Sequence, residues 1–287
     1  MNGLHLAMVV LGAGVVVSFA AGLLSRNYSH VDRLWSVLPA VYVLIWMRDF
    51  YDNMRFVIPG VLVCLWAIRL TANFAVKGGY RFSWKKGFTE EDYRWPVLKE
   101  KIPNRVLFEL FNLTFISSFQ LALIFVFTLP LYFVGEIRGQ ISPLEMVLYA
   151  VHGVLLLGET VADIQQLRYY RRRSQPQEDA RLRLGFNTFG LWRFSRHPNY
   201  VCEMGQWIVV FFYLAAASGA LHWSGIGAGV LMLLFIGSTR MAEQITSSKY
   251  PAYKDWQRAT APWIPSPFRT AARHDFWNKY KISENEE

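Results

Sequence analysis

Gly190-Leu191-Trp192-Arg193-Phe194-Ser195-Arg196-His197-Pro198-Asn199-Tyr200, followed by Glu203, Gln206 and Trp207, carries a basic loop straight into an apolar run. Pro198 suits the first turn of a helix, and from Asn199 onward positions 199, 203, 206 and 207 fall on one helical face. An amide and a carboxylate entering a hydrocarbon layer are costly unless they meet partners, so this face marks the inside of a membrane bundle. Two readings follow: a functional site, or a polar anchor that only holds helices together.

The chain around this motif reads the same way. At 53% hydrophobic and 16% aromatic residues, with apolar runs near the length of a bilayer crossing, it fits a polytopic helix bundle and not a soluble domain. About seven transmembrane helices are predicted: Leu4 to Leu24, Leu34 to Phe50, Val57 to Val76, Leu110 to Val134, Pro143 to Asp163, Asn199 to Ala217 and Gly225 to Ala242. Trp35, Trp46, Tyr132 and Trp223 stand near span ends, where amphipathic rings settle among headgroups. The expected fold class is therefore all-α. Residues 1–287 form one integral membrane domain, with a polar cytoplasmic tail over 266–287.

Charge orients the bundle. The loops 77–105 and 168–196 hold eight Lys or Arg residues each, whereas 135–142 holds only Arg138. Both rich loops are expected in the cytoplasm, which puts the N-terminus outside and the C-terminus inside, as in a multi-pass bacterial inner-membrane protein. The net charge of +9 is then a matter of topology, and nucleic-acid binding is unnecessary. The first helix has only His5 before its apolar run, so it reads as a retained span and not a cleaved signal. Cys64 and Cys202 imply no disulfide framework, and no pair of His or Cys residues has the spacing of a metal site.

Four polar constellations remain. Tyr28, Asp32 and Trp35 open the second span, where Asp32 is either a first-turn acid favoured by the helix dipole or a proton source. Trp66, Arg69 and Asn73 share a face of the third. Glu159, Asp163 and Gln166, at spacing i, i+4, i+7, precede Arg168, Arg171, Arg172 and Arg173; they read as a ligand site with arginine forks for phosphates, or as internal ion pairs. The last joins the opening motif to Arg240, Glu243, Tyr250, Tyr253 and Arg258.

The pattern Glu159-x-x-x-Asp163-x-Gln165, then Gly190-Leu191-Trp192-x-x-x-Arg196-His197-Pro198-Asn199-Tyr200-x-x-Glu203, resembles the bacterial membrane-protein family classed with the steroid 5-alpha-reductases. Asp32-x-x-Trp35, Trp66-x-x-Arg69 and Glu91-Asp92-Tyr93-Arg94 match its amino-terminal half. Arg-His-Pro-x-Tyr is also similar in isoprenylcysteine and phospholipid methyltransferases, which bind S-adenosylmethionine.

The resemblance implies a steroid-5-alpha-reductase-like bundle that binds NADPH from the cytosolic side, within about residues 143–265. It would reduce a carbon–carbon double bond conjugated to a carbonyl, in a steroid- or isoprenoid-like substrate entering from the bilayer. Matched by motif, Asn199, Glu203 and Trp207 would line its cofactor pocket, with Asp163 at the ribose or adenine and Arg69 at a phosphate; the polar constellations add Asn73, Glu159, Arg168, Arg171, Arg172, Arg196, His197, Tyr200 and Glu243 to the expected cofactor set. The family uses a Gln-Glu pair on the second helix and a Tyr on the third for the substrate ketone; here Ser36-Val37 and Trp66 stand there. Asp32, Tyr28 and Trp66 are therefore the catalytic candidates. An S-adenosylmethionine-dependent methyltransferase and a non-catalytic lipid or sterol binder are the alternatives.

Overall fold

The computed structural model describes residues 2–84, 87–175, 179–265 and 269–282. Nearly all of this is helix. In chain order come α1 (Gly3–Ser25), α2 (His30–Trp35), α3 (Leu38–Phe50), α4 (Met54–Val76), a two-residue hairpin of β1 (Phe82–Ser83) and β2 (Gly87–Phe88), and α5 (Arg94–Lys101). A long segment follows, made of α6 (Arg105–Phe111), a π-helical stretch (Asn112–Phe119), α7 (Gln120–Thr128) and α8 (Pro130–Glu136). The rest comprises α9 (Pro143–Arg173), α10 (Ala180–Arg183), a 3-10 turn (Gly190–Arg193), α11 (Pro198–Ser218), α12 (Ile226–Lys249), α13 (Tyr253–Ala259) and α14 (Thr270–Lys279).

Among the described residues, six helical segments are long and apolar enough to cross a membrane: 3–25, 54–76, 105–136, 143–173, 198–218 and 223–249. The protein is an integral, multi-pass membrane protein. The seven expected spans are thus corrected to six long ones, because Leu34 to Phe50 contains only the 13-residue α3. At 1.5 Å per residue that helix is about 20 Å long, short of the roughly 30 Å of hydrocarbon. Two residues mark its limits. Pro39 lies in its first turn, and Asn53, just past its end, caps α4 by accepting from the Arg55 N–H.

The chain divides into two compact units, residues 1–152 with 207–231, and 153–206 with 232–287. In the first, aromatic rings form the core: Trp46 packs on Tyr132 and Phe125, and Trp207 on both Phe127 and Trp66. Its polar contacts cluster at two ends. At one, Asp49 accepts from the Gly3 N–H at 2.7 Å and Arg55 pairs with Glu145 at 2.6 Å, both side chains buried. At the other, Asn27 donates to the Phe88 and Glu90 carbonyls, and Arg33 donates to those of Gly79 and Glu90.

The second unit has an apolar core outside the spans. Leu184, Phe186, Tyr253, Trp256, Phe276 and Trp277 pack together there. The described part of 266–287 is therefore not a bare tail, since α14 contributes two of these rings.

Candidate functional site

In the second unit, the segment expected to re-enter the membrane is fixed onto the end of α9. Gly190 takes φ +57°, a left-handed angle that glycine adopts freely, and an added Cβ would collide with the Gln165 amide. This close approach lets the Leu191 N–H donate to Gln165 Oε1 at 2.9 Å, while Trp192 Nε1 donates to the Ala162 carbonyl at 3.0 Å. Asn187 donates to Gln166 Oε1 at 2.8 Å. The Gly-Leu-Trp triplet is thus a docking device. Each of its residues has a physical task at that position.

The next residues join the C-terminal segment. Ser195 and Ala261 form a parallel bridge, and the Arg196 and His197 N–H groups donate to the Ala261 and Pro262 carbonyls. The Arg196 guanidinium holds Glu243 through both carboxylate oxygens, at 2.6 and 3.0 Å, and donates to the carbonyls of Gln257 and Thr260. His197 Nε2 is 3.0 Å from Glu243 Oε1, and Gln257 donates to Glu243 Oε2. This ion pair is buried and satisfied on every side. Its neutralisation makes it a clasp that ties the loop before α11 to α12 and to the chain around α13.

Further along α11 the polar face enters the span. Gln206 donates from Nε2 to Glu159 Oε2 at 2.7 Å, and the two side chains are 1% and 3% exposed. Asp163 and Glu203 are buried as well. Helical spacing explains the grouping: 159 and 163 are one turn apart on α9, and 199, 203 and 206 line one face of α11. Asn199 and Tyr200 are partly buried at its start, where Tyr200 stacks on His197.

Other expected residues fall elsewhere. Arg168, Arg171 and Arg172 are exposed at the end of α9, and Arg173 donates to the Gly185 carbonyl and the Tyr250 hydroxyl. In the first unit, Trp66 is buried edge-on to Trp207, with centroids 4.9 Å apart, and Arg69 and Asn73 follow it on α4. Asp32 accepts from Trp95 Nε1 at 2.8 Å and from Arg94 at 3.2 Å. Burial still raises its pKa, with Asp92 adding to the shift and Arg94 opposing it. The Tyr28 hydroxyl donates to Glu109 at 2.6 Å, and burial with that carboxylate raises its pKa too. Both groups therefore fasten 28–32 to α5 and α6.

Sequence reasoning missed the His152–Tyr213 hydrogen bond of 2.8 Å, buried between α9 and α11 in the first unit. A histidine and a tyrosine inside spans were the available signal.

The expectation of NADPH is corrected. The described residues are 77% helix and 2% strand, and their only sheet is a pair of two-residue strands, so there is no β-sheet nucleotide-binding fold among the described residues. Arg196, one of the expected cofactor residues, is taken by Glu243.

These features define a multi-pass membrane helix bundle with a buried polar cluster. Residues 18–260 match the family described as "Protein of unknown function (DUF1295)", and the chain belongs to that family. It is similar to the uncharacterized protein C594.04c of Schizosaccharomyces pombe, at 31% identity over 280 residues, covering 88% of this chain and 78% of that one. No solved structure matches.

Proposed function

We propose that the protein is a membrane-embedded enzyme that adds two hydrogens, one as a hydride from a two-electron reductant and one as a proton, across a carbon–carbon double bond conjugated to a carbonyl in a lipophilic substrate. The observation that carries this reading is the buried cluster of Glu159, Asp163, Glu203 and Gln206 inside otherwise apolar helices. Polar side chains at such depth are expensive, and a site facing the bundle interior is their usual reason. The resemblance carried by the Gly190–Glu203 motif favours reduction. Chemistry of this kind needs a dry, oriented site, because negative charge develops on the carbonyl oxygen as the double bond is reduced. A site within the hydrocarbon layer also gives an apolar substrate direct entry from the bilayer. Its finer placement is a cytoplasmic-side site in a protein whose N-terminus is outside.

A second reading, methyl transfer to a lipophilic acceptor, is favoured by one feature. Arg196 is spent on Glu243, which leaves the cluster richer in acids than a phosphate-rich ligand would want.

Comparative mass spectrometry of lipids from membranes with the wild-type protein, and with a Glu203→Gln, Gln206→Met double variant, separates these readings. A lipid two hydrogens heavier only with the wild type supports reduction. A lipid heavier by one CH2 supports methyl transfer, and identical lipid profiles would overturn both in favour of a binder.

A further inference from the structure

The orientation of the Gln206 amide is unambiguous. Its Nε2 faces two acceptors, Glu159 Oε2 at 2.7 Å and the Cys202 carbonyl at 3.2 Å, so the amide oxygen must point the other way. That oxygen is fully buried and has no donor among the described residues. Asn199 Oδ1, seven residues earlier on the same face and about 10 Å along the helix, is in the same condition. One helix face therefore presents two amide oxygens that need donors.

Gln206 lies eight residues into α11, about 12 Å past its start, and is 1% exposed. A buried acceptor left unmet there keeps the full cost of leaving water. The ligand that meets it must bring an O–H or N–H donor. A charged ammonium would pay heavily for leaving water, whereas a hydroxyl on an apolar body would not. Leu155 and Gly158 on α9 and Cys202 and Gly205 on α11 beside the pair are apolar or small, and buried Glu203 lies between the two amides on the same face.

We propose that this face binds a lipid alcohol, whose hydroxyl donates to Gln206 Oε1 while its apolar body lies in the bundle. This rests on reading the cluster as the substrate site, and it narrows the substrate to a hydroxylated lipophile.

The test uses the detergent-solubilised full chain and three matched pairs: farnesol, 1-hexadecanol and cholesterol, each against its own methyl ether. The ether keeps the oxygen and loses only the donor. At least one alcohol should bind roughly five- to tenfold more tightly than its ether, the effect of one net hydrogen bond. Gln206→Met, or Gln206→Leu if the first does not fold, should bring the alcohol down to the affinity of the ether. No preference in any pair would mean that water, not a ligand, meets the amide oxygen, and would overturn the proposal. So would a preference that survives loss of the amide. An alcohol preference together with unchanged membrane lipids would sustain this proposal and overturn the enzyme reading. Product formation without the preference would do the reverse.

Discussion

Gly190 shows how much one residue decides in the loop before α11. At its left-handed angle an alanine costs about 1–2 kcal/mol in backbone alone, and its Cβ would also displace Gln165 from the Leu191 N–H. Gly190→Ala is therefore expected to lower the thermal unfolding temperature of the solubilised protein. Gln165→Ala should lower it less, since only a hydrogen bond is lost. An alanine variant as stable as wild type would show that the loop is not docked as described. Glu243 is the second such residue. Glu243→Ala leaves the buried Arg196 charge uncompensated, and such losses typically cost about 3–5 kcal/mol. Replacing both residues with apolar ones should recover much of that loss, so a double-mutant cycle should give a strong coupling between them. Additive losses would contradict the clasp.

At the scale of elements, α14 is the least expected feature. Asp255 on α13 accepts from Lys279 at 2.7 Å and from the Tyr280 hydroxyl at 2.8 Å, and these bonds hold its pKa below the ordinary value of 3.8. The folded state thus binds the proton less readily than the unfolded chain does. The stabilisation is complete above that ordinary value and disappears as pH falls through the lower, folded one. Acidification below about pH 4 should therefore speed hydrogen exchange over 270–279, and Asp255→Asn should make exchange fast at neutral pH and insensitive to that fall. The sequence of this region reads as polar because Phe276 and Trp277 are isolated among charges. Only the partner rings, Trp256 and Phe186, reveal their purpose.

Other elements were legible in part. The i, i+4, i+7 spacing on α9 and α11 pointed to Glu159, Asp163 and Glu203 because helical periodicity is a local property. The Arg196–Glu243 pair joins residues 47 apart, so charge alone could not choose it over a phosphate. The end of α9 was placed at Asp163, where polarity begins. The helix runs on to Arg173, since leaving the hydrocarbon does not end the backbone ladder.

For the whole molecule, composition was sufficient to identify a membrane protein, and the number of long spans differed by one. Contacts within the first unit still mark its two ends: Gly3, at the start of α1, meets Asp49 of α3 at one, and Asn27, past the end of α1, meets Phe88 at the other. The N-terminus and the 77–105 loop are therefore at opposite ends of that unit. Single cysteines at Asn2 and Lys101, in a protein stripped of Cys64 and Cys202, should label from opposite sides of the membrane, with Lys101 cytoplasmic by its basic neighbourhood. Labelling from the same side would refute that arrangement.

The π-helical stretch from Asn112 to Phe119 has a mechanical meaning. Such a stretch is an α-helix that has taken in an extra residue without breaking, and each added residue turns everything beyond it by about 100°. Asn112 and Ser117 bond to each other across this stretch, and Ser117 also meets Ser18 on α1. A chain one residue shorter here would keep an intact helix while rotating Phe125 and Phe127 away from Trp46 and Trp207. The register of half a transmembrane segment is thus set by a single insertion, so that small changes of length here would re-aim a wall of the bundle and leave its composition untouched.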